Sequence, residues 1–256
     1  MFANTTSFNQ DISSWDLSNV TDISGMFRNA SAFNTDMPDW DVRSVTNMED
    51  LFGEANYSGD MRNWNLESLT DMAGLFSHQI GFNGNISNWD VSNVTDMSRM
   101  FSNAEVFNGD ISGWNVSNVT DMSKMLYAAR AFNADIGGWN VSNVTDMSNM
   151  FTFARSFNRD LDAWDTKNVT TMSRTFYSAN AFSGNISNWN VSNVTNMEAM
   201  FAWADSFNGD LNGWDMSNVT TIKEMFVGAT GFSADIPDWN LKSITDKRGL
   251  KLFFGD

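Results

Sequence analysis

Apolar residues recur along this chain in one pattern written ten times, and tryptophan marks each copy: Trp15, Trp40, Trp64, Trp89, Trp114, Trp139, Trp164, Trp189, Trp214 and Trp239. The spacing is 25 residues, except for 24 between Trp40 and Trp64, where one residue is missing between Ala55 and Tyr57. With tryptophan as position zero, the inward set is Ile, Leu or Met at −3, then Val or Leu at +2 and +5. Met or Ile follows at +8, Met or Leu at +11, Phe at +12, Ala at +15 and Phe or Tyr at +18. Thr166 at +2 and Thr175 at +11 are polar departures. A fixed period of this length is the signature of a stacked repeat, in which each turn buries its face against its neighbours.

Two periods coexist within a repeat. Positions +8, +11, +12, +15 and +18 step by three and four, which predicts a short amphipathic helix. Position +7 supports it: from Asp22 through Asp96 and Asp121 to Asp246, the column admits only Asp, Asn and Thr, all N-cap residues. The half from −3 to +5 is β-branched and aromatic, which predicts one or two very short strands pairing in parallel between coils. The expected fold is an α/β repeat solenoid with leucine-rich-repeat-like geometry: ten coils, short parallel strands on one side and short helices on the other. One domain spans residues 1–256, with coils centred on Trp15 to Trp239 and a C-terminal cap over 240–256. There Lys247, Arg248 and Lys251 break the apolar pattern. Met1 and Phe2 keep it, so the N-terminal coil is expected to be uncapped and open to self-association.

In its cleanest form the motif is the stretch from Phe107-Asn108-Gly109-Asp110-Ile111 through Trp114-Asn115-Val116 to Asn118-Val119-Thr120-Asp121-Met122. This string resembles the degenerate 25-residue repeats of the BspA-like leucine-rich-repeat surface proteins. The resemblance implies a non-catalytic, surface-exposed or secreted protein engaged in adhesion, with a protein or glycan ligand and no cofactor. It supplies no catalytic residue to carry over.

A formal charge of −16 argues against nucleic acid and against an anionic membrane surface. No apolar run is long enough to span a bilayer. Cysteine is absent and His78 is the single histidine, which leaves neither a zinc site nor a serine triad.

Three outward columns could carry function. The acidic column at −4 comprises Asp11, Asp36, Asp60, Asp110, Asp135, Asp160, Asp210 and Asp235, with Asn85 and Asn185 between. It reads first as an Asx-turn column and second as weak calcium binding, which would make a calcium-stabilised structural or fibre subunit. Threonine at +6 occurs in all ten copies, and Asn at +4 accompanies it in seven. Those Asn-Val-Thr ladders could serve an ice-binding lattice, or simply suit strands and turns. Last, Tyr127, Phe153, Tyr177 and Trp203 stand 13 or 14 residues after a repeat tryptophan, outside the core pattern. Exposed on neighbouring coils they would form a ligand platform. Packed down, they would be structural.

Overall fold

The computed structural model describes residues 1–233 and 239–245. Each repeat makes one closed rung, and its closure begins with the inward residues. Within the fourth and fifth repeats, amides at Met100, Ala104, Phe107, Trp114 and Val119 donate to carbonyls three residues back, at Met97, Phe101, Ala104, Ile111 and Val116. The first and last residues of these four-residue turns are the apolar positions, and they point inward together. All nine of these side chains are buried.

Rungs are joined through the backbone by a second, forward set of bonds. Met97, Arg99, Phe101 and Asn103 donate to Asp121, Ser123, Met125 and Tyr127 of the next rung at 2.6–3.0 Å. Amides therefore alternate between a turn within the rung and a bond to the next one. A helix could not do this, because each of its amides bonds four residues back. Left-handed backbone at +10 and +14 enforces the alternation, with φ near +60° at Arg99, Asn103, Lys124 and Asn149 and at their equivalents in other rungs.

The expected α/β solenoid with helices and strands is not formed. Among the described residues there is no helix, and the only ladder pairs are eight isolated parallel bridges running from Asp22–Asn47 to Asn196–Thr221. The three-and-four spacing arose from successive turns, whose inward ends are three residues apart. The +7 column is not a helix N-cap, although its chemistry is related. Asp96 Oδ1 accepts the amide of Ser98 at 2.8 Å and Asp121 Oδ1 that of Ser123 at 2.7 Å. Asn47 and Asn196 cap Glu49 and Glu198 in the same way. This is an Asx turn, in which a side-chain oxygen bonds the amide two residues on.

Aromatic columns fill the interior. Trp164 and Trp189 stack at 6.0 Å between ring centroids, and Phe101 lies 3.9 Å from Phe107 in the same rung. Each buried indole also ties rungs together, as Trp139 Nε1 does by donating to the Ile111 carbonyl at 3.1 Å. The polar departures are satisfied. Thr175 Oγ1 donates to the Met147 and Met172 carbonyls at 3.1 and 2.8 Å, and Thr166 Oγ1 to Asn190 O at 2.9 Å. Gln79, where the pattern calls for Ala, donates to the Phe52 carbonyl. Among the described residues no buried side-chain nitrogen or oxygen lacks a partner. The predicted cap residues Lys247, Arg248 and Lys251 lie outside the described residues.

Candidate functional site: an aromatic and cationic groove

Positions +10, +13 and +14 of successive rungs share one face, because the turns there send these side chains outward. Tyr127 at +13, Phe153 at +14 and Tyr177 at +13 come together on it. Phe153 meets the two tyrosine rings edge-on, at 5.6 Å and 88° and at 5.5 Å and 85°. All three are partly exposed, so they are neither a buried cluster nor isolated surface rings. Trp203 occupies the equivalent of the Phe153 position two rungs on and is 49% exposed, but it makes no ring contact with the other three. Its indole lies over Gly228, where an added Cβ would run into the ring. The structure thus assembles three of the four expected platform residues and sets Trp203 apart.

Phe153 and Trp203 hold φ at 59° and 60°. At the same column position other rungs place Asn4, Asn29, Asn103 and Gly228, which accept left-handed backbone readily, and also Glu54, His78, Ala128 and Ser178, so the conformation belongs to the repeat. A bulky aromatic there is an outlier. Residues in such conformations cost about 1–3 kcal/mol and gather at functional sites.

Beside the aromatic cluster run two adjoining clefts of about 430 and 330 Å³, which share Tyr127, Asn149 and Arg174. The larger carries four cations, Arg28, Arg99, Lys124 and Arg174, against the carboxylates of Asp50 and Glu54. Pairing is uneven. Arg28 binds Glu54 at 3.1 Å, Arg99 binds Glu49 at 3.1 Å, and Arg174 binds Glu198 at 3.3 Å. Lys124 has no ion-pair partner among the described residues, and it stands between the two paired arginines of the fourth and seventh rungs. His78 joins the wall. Its Nδ1 lies 2.9 Å from Ser77 Oγ, and its Nε2 lies 3.1 Å from Asn103 Nδ2. The Asn103 amide nitrogen is the donor in that contact. Sequence reasoning missed the cations of this groove. The signal was column +10, where Gly25 and Gly74 give way to Arg99, Lys124, Asn149 and Arg174.

The acidic column is engaged in turns. Asp11, Asp60, Asp110, Asp135 and Asp210 each accept the amide two residues on, at 2.9–3.0 Å. Asp36 and Asp160 accept amides of Asp60 and Asn185 in the following rung. Asp235 lies outside the described residues. Hydrogen bonds from Ser13, Arg62 and Ser112 hold Asp11, Asp60 and Asp110 below the ordinary aspartate value. Among the described residues no three carboxylate or histidine groups converge where a metal ion could be held.

The polar ladders run along the stack. Thr120 Oγ1 donates to the Thr95 carbonyl at 3.2 Å, and Asn118 Nδ2 to the Ser92 carbonyl at 2.7 Å, with equivalents in neighbouring rungs. The threonines remain exposed at their outer edge.

These features define a stacked tandem-repeat protein with a side-chain-lined groove. The chain belongs to the family described as "Mycoplasma protein of unknown function, DUF285", whose model matches residues 1–59, 56–164 and 145–251. No curated protein and no solved structure matches it.

Proposed function

We propose that this is a non-catalytic binding protein that presents the groove beside Tyr127, Phe153 and Tyr177 to a protein or glycan partner at a cell surface or in secreted form. The observation that carries this reading is Phe153, a partly exposed phenylalanine held at φ 59° between two tyrosine rings. Neither folding nor solubility calls for that residue at that position, whereas a contact surface gains rigid area from it. The surface placement rests on the likeness of the repeat string to that of BspA-like surface proteins. The ice-binding reading is not taken forward, because the donor hydrogens of the Thr and Asn ladders are directed at carbonyls of the preceding rung. The calcium reading lacks a converging set of oxygen ligands among the described residues.

The test is a glycan and matrix-protein binding screen of the parent beside Phe153→Asn. Asparagine suits the left-handed backbone, so the fold is kept while the aromatic bridge is lost. Retention of every parental interaction by this variant would refute the assignment. Thermal hysteresis in the parent would move the function to the threonine face instead.

A further inference from the structure

We infer that the groove takes an acidic oligosaccharide, with Lys124 as the residue that binds its anionic group. The inference rests on the proposed binding role of the same face and adds the chemical class of the ligand. Three observations carry it.

The first is local charge. The larger cleft holds Arg28, Arg99, Lys124 and Arg174. Arg28 faces Asp50 and Glu54, Glu49 and Glu198 neutralise Arg99 and Arg174, and Lys124 alone of the four has no ion-pair partner among the described residues. An anion entering this cleft meets Lys124. The neighbours of Lys124 are already satisfied: Arg99 by Glu49, and Arg174 by Glu198. Lys223 near the same edge faces Glu198 and Glu224. Lys124 is left as the exposed cation with its charge available.

The second is backbone. Lys124 holds φ at 56° and Arg99 at 58°, in a column whose left-handed backbone is common to the repeat and is met by Gly25 and Gly74 and also by Asp50, Ala199 and Glu224. The turn at this position directs the Lys124 side chain out into the cleft, at a place where glycine would serve the fold as well.

The third separates a glycan from an acidic peptide. Extended peptides gain affinity by pairing with an exposed strand edge. Along this groove the backbone is already spent: Arg99, Phe101 and Asn103 donate to the following rung, and Ser102 and Ala104 donate within their own. What remains for recognition is side chains. Half-buried Asn149 lines both clefts beside Tyr127, and Tyr177 lines the smaller one. Polar groups beside aromatic rings suit the hydroxyls and the apolar faces of pyranose rings, and the lysine suits a carboxylate or sulfate on them.

The experiment is a binding titration with four probes: hyaluronan oligosaccharides for a carboxylate, heparin oligosaccharides for a sulfate, cello-oligosaccharides as the neutral sugar, and a glutamate-rich peptide. Binding of at least one acidic sugar, weakened by salt and reduced about tenfold or more in Lys124→Gly, is expected. Because glycine relieves the left-handed residue, the melting temperature of that variant should not fall, which separates lost binding from lost fold. Equal affinity for the neutral sugar, preference for the peptide, or acidic-sugar binding that is unchanged in Lys124→Gly would overturn the inference. Neutral-sugar binding that is lost in Phe153→Asn but kept in Lys124→Gly would overturn it while leaving the proposed binding role standing. Absence of Phe153-dependent binding to any of the four would overturn the inference, and a blank in the wider screen would remove the binding role as well.

Discussion

Replacing Trp139 with alanine tests how rungs are held together. The indole is 3% exposed and stacks on Trp164 at 6.5 Å. Removing a buried tryptophan costs about 3–5 kcal/mol from lost burial and the cavity left behind. Its Nε1 also donates to the Ile111 carbonyl at 3.1 Å. That oxygen keeps a second donor, the Trp114 amide at 3.2 Å, so losing the indole leaves it under-bonded and not orphaned. The added cost is therefore about 1 kcal/mol, the net value of an ordinary hydrogen bond, and the total is about 4–6 kcal/mol. Trp139→Phe should lie well below that, since a ring still fills most of the column. Stacked repeats couple through nearest neighbours, so the loss should appear first as faster amide exchange in the fifth and sixth repeats and in the rungs beside them. The assay is urea denaturation read by circular dichroism, together with residue-resolved hydrogen exchange. An alanine variant that unfolds at the parental midpoint would refute a structural role for the tryptophan column, and so would exchange that rises evenly over the whole chain.

Further outcomes follow from single positions. An added Cβ at Gly184 would run into the Arg159 carbonyl, whereas at Gly113 it would meet nothing within 4 Å. Gly184→Ala should therefore lose about 1–3 kcal/mol, and Gly113→Ala should be neutral or slightly stabilising, both read by urea midpoint. Aspartates capping turns are depressed by hydrogen bonds: Asp16, Asp22 and Asp90 by serine partners, and Asp41, down to about 2, by its bond from Arg43. A depressed folded value means stability fully present above the ordinary value of 3.8 and lost as pH falls through the folded ones. An acid-unfolding curve that is flat through that window would contradict it. Asp71 runs the other way, because burial raises it, with help from Asp96 and Glu49. Its charged form is the costly one, so Asp71→Asn should raise the melting temperature near neutral pH. The gain should shrink as acid protonates Asp71 in the parent, and Asn47 and Asn196 show that the column accepts the amide. A gain that persists unchanged in acid would count against this assignment.

The repeat and its inward residues were legible in the sequence, because burial is written in the residue itself, whereas the +7 oxygens, expected as helix N-caps, close Asx turns instead. The helix was not there to be read, although Met97, Met100, Phe101 and Ala104 carry helical spacing. A four-residue turn with both ends inward writes the same interval of three, and apolar spacing alone does not separate the two. The discriminating residues were polar. Gly25 and Asn29, or Gly74 and His78, stand four apart at positions that tolerate left-handed backbone, which no helix interior would favour. The platform residues Tyr127, Phe153, Tyr177 and Trp203 are visible alike as departures from the core pattern on neighbouring coils, but spacing alone does not tell which rings meet, and Trp203 stands apart from the other three. Lys124 was hidden because its function depends on Arg99 and Arg174 being paired to Glu49 and Glu198, and Glu49 stands 50 positions before its partner Arg99.

The central claim is that left-handed residues at +10 and +14 turn each rung toward its neighbour where the spacing suggests a helix. The direct measurement is the backbone φ of Arg99, Asn103, Lys124 and Asn149 in solution, from NMR scalar couplings and chemical shifts. The rung geometry predicts positive φ, near +60°, at all four. Values near −63°, the α-helical angle, at these positions would contradict it.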